Sequence, residues 1–146
     1  MSTRQIHVFI SHSWWYSHHY DTLESWIFKS PWSVGQASLD LRDYSVPKHS
    51  PIHNAPTGKA LKEAIYKQIA MSHVVVIPTG MYANYSKWIG KEIEGAEFYE
   101  KPILAVDPWG QLRKSSVVAR AAAKVVGWNK QPVVNAIWSL YKEIRS

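Results

Sequence analysis

Cysteine is absent from the 146-residue chain, which excludes disulfides and thiolate metal sites and fits a reducing compartment. No apolar run comes near the roughly 20 residues needed to span a bilayer, so no membrane is expected as a partner. The amino terminus, Met-Ser-Thr-Arg-Gln-Ile-His-Val-Phe-Ile, enters a short apolar run at once and lacks an extended apolar segment with a small-residue cleavage site. A cytoplasmic, soluble protein is the expectation. Runs of five or six like charges are missing as well: 17 Lys and Arg and 11 Asp and Glu are scattered along the chain, leaving a formal net charge of +6. That excess would suit a phosphate-rich ligand or an anionic surface. No RNA-binding or zinc-finger signature accompanies it, and nucleic acid is not expected as a partner. Phe is scarce, with 3 residues against 8 Trp and 8 Tyr. Such rings stack on planar ligands as well as filling cores, and core packing is the default for most of them.

With 46% hydrophobic residues, the length suits a single domain over 1–146, enough for one core and too little for two. Ile6 to Ile10 reads as a buried first strand that runs into polar Ser11-His12-Ser13. Tyr20, Leu23, Trp26 and Ile27 have helical spacing, stopped by Ser30-Pro31. Ala37 to Leu41 is a second short strand. The stretch 42–56 then carries three prolines among polar residues, a long and partly stiff loop of the kind that is usually functional and is expected as a ligand-side lid. Thr57 is placed as the cap of a second helix reaching about Met71. Val74-Val-Val-Ile77 follows without polar alternation, the mark of a central parallel strand covered on both faces. Strands at Pro102 to Val106 and Lys124 to Trp128, and helices from Ser115 to about Ala123 and from Val133 to Ile144, complete an alternating order. That order predicts an α/β three-layer sandwich, flavodoxin-like, with a five-stranded parallel sheet. Ligands of such sheets bind beyond the carboxyl ends of the strands, where the strand order reverses.

Ser11 to Trp14, the 42–56 loop and Pro78 to Trp88 fall at that edge, and so does Glu92 in the segment Asn84 to Tyr99. Ile89, Ile93 and Ala96 give it an amphipathic helical period, with Asn84 or Ser86 as N-cap. Trp88 and Glu92, four apart, share a stripe about 100° around from the Ile89/Ile93 stripe, at the boundary between buried and solvated faces. A carboxylate there can line a cleft, or it can simply pair with Lys91 or Lys101. Glu94 and Glu97 point elsewhere and are expected in solvent. Adjacent His18 and His19 diverge on a helix and have no acidic or cysteine partner at metal-ligand spacing, so no metal site is expected. Asp40 and Asp43 do not make a phospho-receiver pocket, which needs carboxylates directly after the first strand, where Ser11 and His12 stand. Thr57-Gly58-Lys59 lacks the first glycine and the magnesium-binding hydroxyl of a phosphate loop, since His53 and Ala60 occupy those places.

Taken in order, Val8-Phe-Ile-Ser-His-Ser-Trp14, Leu39-Asp-Leu-Arg-Asp43 and Ser86-Lys-Trp-Ile-Gly-Lys-Glu92 resemble three landmarks of TIR domains. These are the first strand and its loop, the second strand running into the so-called BB loop, and the S-x-W-x-x-x-E helix motif. Asp43-Tyr-Ser-Val-Pro47 and the late Val126-Gly-Trp-Asn129 are most similar to the compact TIR-like proteins of bacterial Thoeris anti-phage systems, the ThsB type. Gly90 stands where many TIR helices carry a larger residue, and the 42–56 loop is longer and richer in proline than in adaptor TIR domains.

The resemblance implies cleavage of the nicotinamide N-glycosidic bond of NAD, which would be the substrate, with no cofactor needed. Glu92 would be the catalytic carboxylate. Ser11, His12 and Arg42 would meet hydroxyls or phosphates, Trp14 or Trp88 would stack on a ring, and Asp43 and Tyr44 would complete the substrate contacts from the start of the loop. A linear or cyclised ADP-ribose product would act as a signal to a downstream effector, and self-association is a second route for an output. The same fold also serves as a non-catalytic TIR interaction module, and a nucleoside deoxyribosyltransferase-like enzyme likewise uses a glutamate on a related fold.

Overall fold

The computed structural model describes residues 3–11, 19–28, 32–34, 37–45, 58–79, 82–107 and 116–145. Six strands and five helices are found among them: β1 Thr3–Ile10, α1 His19–Phe28, β2 Trp32–Val34, β3 Ala37–Asp43, α2 Gly58–Ala70, β4 Val74–Pro78, α3 Tyr82–Phe98, β5 Ile103–Asp107, α4 Ser116–Ala121, β6 Lys124–Gly127 and α5 Lys130–Arg145. They form one sheet in the order β2-β3-β1-β4-β5-β6. β1 pairs in parallel with β3 and β4, and β5 in parallel with β4 and β6. The five parallel strands and their flavodoxin-like order are those expected from the sequence.

The sixth strand was not expected. β2 pairs antiparallel with β3 through Trp32↔Leu39 and Val34↔Ala37. Three residues are too few to show alternation, and Pro31 and Gly35 on either side read as punctuation. The Trp32 indole N–H anchors this edge by donating to the Trp26 carbonyl at 2.7 Å, and the Lys130 ammonium sits 5.0 Å from the Trp32 ring centroid.

β4 and β5 are buried at every position, which accounts for their apolar runs: a central parallel strand is covered on both faces. α2 and α3 pack together on one face of the sheet, while α1 and α5 meet on the other. The α2–α3 contact is close at Gly95, where an added Cβ would stand 3.0 Å from Tyr66 Cδ1 and 3.1 Å from Ile69 Cδ1. All five described tryptophans, Trp26, Trp32, Trp88, Trp128 and Trp138, are partly buried against the core.

Two helix starts differ from the sequence reading. α3 begins at Tyr82, so Asn84 and Ser86 lie within helical backbone instead of capping it. Either residue type can cap, and only the point where the chain leaves β4 decides which turn comes first. α5 begins at Lys130 and carries Pro132 in its first turn, where a missing N–H costs nothing. α3 ends in a Schellman turn: the Lys101 N–H donates to Ala96 O at 2.8 Å and the Glu100 N–H to Glu97 O at 3.2 Å, with Glu100 in the left-handed region at φ 56°.

Candidate functional site

Strand order reverses between β1 and β4, because the chain leaves β1 for β3 on one side and later returns to β4 on the other. The Ser11 N–H crosses that line by donating to Val76 O at 2.8 Å. Its hydroxyl donates to Glu92 Oε1 at 2.6 Å, and both side chains are 0% exposed. This is the length of a hydroxyl bond to a carboxylate. Burying a carboxylate forfeits its hydration, and a fold keeps one inside only where hydrogen bonds replace the lost water.

Glu92 is more deeply placed than its sequence position suggested. Ile89, Glu92, Ile93 and Ala96 are all buried, so the carboxylate occupies the second slot of an i, i+3, i+4, i+7 apolar stripe and not its border. The Ser11 hydroxyl meets this carboxylate, and Lys91, one of the two lysines considered from sequence, lies 4.0 Å from Glu94. Glu94 and Glu97 are exposed, as expected.

The residues after β3 are fixed by a compact set of bonds. Asp43 Oδ1 accepts from the Ser45 N–H at 2.9 Å, an Asx-type turn. The Tyr44 N–H donates to Val8 O at 2.9 Å, and the buried Ser45 hydroxyl oxygen accepts from the Ile10 N–H at 2.8 Å. The Gln68 amide, from α2, donates to the carbonyls of Tyr44 and Ser45 at 3.0 and 3.2 Å. The start of the 42–56 loop is thereby tied to β1 and α2 next to Ser11. The Tyr44 ring lies back along β1 against His7, with centroids 4.0 Å apart and planes 16° from parallel.

Arg42 is exposed and gripped by Asp40. Its Nε donates to both carboxylate oxygens at 3.1 and 3.0 Å and Nη2 to Oδ2 at 2.9 Å. The hydrogen bonds from Arg42 hold the Asp40 carboxyl below the usual carboxylate range, and the same pairing raises the guanidinium. Trp88 is half-buried against the core. His12 and Trp14 lie outside the described residues, as do Thr57 and the loop beyond Ser45; the side chain of Ser86 is likewise not described.

Two further residues at this edge were not singled out from sequence as site residues, although Thr79 lies in the Pro78 to Trp88 segment expected there. Thr79 follows β4 and is 0% exposed, and Asp107 ends β5 and is 4% exposed. Of the six buried polar or charged residues among those described, five (Ser11, Ser45, Thr79, Glu92 and Asp107) gather at the carboxyl edge, and only Ser72 does not. The signal was available: each of Thr79 and Asp107 is the first polar residue after an apolar run, at the edge where such sheets bind ligands. Among the described residues, no three His, Asp or Glu side chains are grouped to hold a metal ion, and no helix is long and apolar enough to cross a membrane.

A family model described as Thoeris protein ThsB, TIR-like domain, matches residues 9–113, more than half of the chain. The match takes in β1 from Phe9 onward, the start of the 42–56 loop, β4, α3 with Glu92, and β5. No curated protein matches the sequence as a relative.

Proposed function

The chain belongs to the Thoeris ThsB TIR-like family, a defence-associated group, and from that premise we propose that it is an enzyme that breaks the nicotinamide–ribose bond of NAD in anti-phage defence. One observation carries the proposal: a wholly buried carboxylate, Glu92, fixed by the Ser11 hydroxyl at the switch point of the sheet. A module that only binds other proteins has no use for a charge inside the domain at that place.

The reaction asks for little else. The C1′–N bond breaks with its electron pair passing to the nicotinamide nitrogen, so the leaving group departs neutral and needs no acid. C1′ and the ring oxygen are left sharing a positive charge, which the Glu92 carboxylate opposes at close range. Capture of C1′ by a water oxygen, with loss of one proton, gives ADP-ribose. Capture by an adenine nitrogen of the same molecule gives a cyclic isomer. Ser11 keeps the carboxylate oriented, and the anchored start of the 42–56 loop presents its backbone to the same edge. The nucleotide product then serves as the signal to a downstream effector.

The test compares the intact protein with Glu92→Gln in lysates of phage-challenged and unchallenged cells, following NAD loss and product mass. Nicotinamide release with an ADP-ribose-type product, abolished by the substitution, is the expected result, and the mass separates hydrolysis from cyclisation. NAD left intact by the wild-type protein in both lysates, together with equal binding of a TIR-containing partner by both proteins, refutes catalysis in favour of an interaction module.

A further inference from the structure

Thr79 holds the one buried side-chain polar atom without a hydrogen-bond partner among the described residues: its Oγ1 is shut from solvent and bonded to nothing. A buried hydroxyl left in this state costs stability, and an isosteric valine would fill the same space without that cost. The backbone offers it no relief, because the Thr79 N–H is committed to Val106 O at 3.0 Å, which extends the β4–β5 ladder.

The direction of the side chain follows from register. Phe9 pairs with Val75 and Ile10 with Val76, so Ser11 falls opposite Ile77. Side chains of paired positions in a parallel sheet share a face, and alternate positions along a strand return to it. Ser11, Ile77 and Thr79 therefore project to one face, and the Ser11–Glu92 bond identifies it as the face covered by α3. Thr79 stands at the carboxyl end of β4, on the other side of the switch point from Ser11. The two hydroxyls and the buried carboxylate thus converge on one edge from three elements, with Ser11 already spent on Glu92 and Thr79 unspent.

We propose that Thr79 Oγ1 binds a ribose hydroxyl of the nucleotide, so that the missing partner arrives with the ligand. A threonine hydroxyl donates once and accepts twice, which matches a sugar hydroxyl that must both give and take a hydrogen bond. The assignment rests on the reading of the Glu92 site as an NAD site and makes Thr79 a specificity determinant within it: a ligand of the same shape lacking that hydroxyl leaves Oγ1 unpartnered and binds less well.

The experiment measures NAD binding by calorimetry in the Glu92→Gln protein, which should hold the substrate without consuming it. The same measurement is made after adding Thr79→Val or Thr79→Ser, and thermal unfolding is followed for all three. The expected result is a roughly five- to tenfold loss of affinity in the valine variant, restoration by serine, and an unfolding temperature for the valine variant equal to or above that of the parent. An NAD analogue lacking one hydroxyl of the nicotinamide ribose should bind the parent with a similar deficit and show no further loss in the valine variant. Unchanged NAD affinity in the valine variant overturns the assignment while leaving the NAD site standing. A clear fall in unfolding temperature also overturns it, since the hydroxyl would then be serving the fold. Failure of the parent to bind NAD at all removes the site reading and this assignment with it.

Discussion

Replacing Ser11 by alanine should destabilise the fold through its bond to Glu92. The hydroxyl donates to Glu92 Oε1 at 2.6 Å with both residues fully buried, so no water can take its place without rearrangement. Hydrogen bonds to charged groups contribute about 1.5–3 kcal/mol. At this chain length, each kcal/mol lowers the melting temperature by about 2–4 °C, which places the expected drop at about 3–12 °C. Urea unfolding read through tryptophan fluorescence gives the free energy directly, provided the slope with denaturant stays constant. The diagnostic comparison repeats Ser11→Ala in a Glu92→Met background, where the acceptor is gone and the serine hydroxyl has lost its purpose. There the alanine should be neutral or mildly stabilising, leaving a coupling of about 2 kcal/mol between the positions. Equal effects of Ser11→Ala in both backgrounds would show that the hydroxyl does not support the carboxylate, and the account of how Glu92 is held inside would fall.

The two helical glycines of α3 should respond in opposite ways. Gly90 has nothing within 4 Å of where a Cβ would stand, so Gly90→Ala should raise stability by about 0.5–1 kcal/mol through helix propensity alone. Gly95→Ala would press on Tyr66 and Ile69 and should lower the melting temperature; a rise would mean that the α2–α3 contact yields more easily than its geometry allows. Asp40 supplies the pH test. Its carboxyl is held below the ordinary value chiefly by the hydrogen bonds from Arg42, so the pairing contributes above the unfolded pKa and is lost as pH falls through the lower folded one. In Arg42→Ala the Asp40 carboxyl signal, followed by NMR, should titrate at higher pH, and an unmoved titration would show that the pair does not persist in solution.

Much of this architecture follows from local pattern. The apolar run at Val74 marked the central strand, and it lies buried at every position because helices cover both of its faces. The Trp88–Glu92 spacing placed Glu92 at the border of its helix's apolar stripe, not within it, because periodicity sees a charged residue as a gap in such a stripe. A partner 81 residues away, Ser11, helps to fill that gap, and no local pattern carries contacts of that range. The resemblance implied a ligand contact for Arg42; the structure shows it paired with Asp40, two residues back on the same face of β3, a contact the local sequence could have suggested. β2 escaped notice for want of length.

The position of β1 in the sheet also has a consequence for the chain as it is made. β1 emerges from the ribosome before every strand it pairs with, and its neighbour β4 begins only after His73, which is 66 residues beyond His7. At a synthesis rate of roughly 5–20 residues per second, that delay amounts to about 3–13 s. Throughout it, a strand ending in Val8-Phe9-Ile10 has at least one open edge and a side-chain row meant for the core. The nascent protein therefore offers a holding chaperone an apolar segment early in synthesis, and the closing of β4 against β1 both ends that exposure and creates the switch point where Ser11 and Thr79 stand.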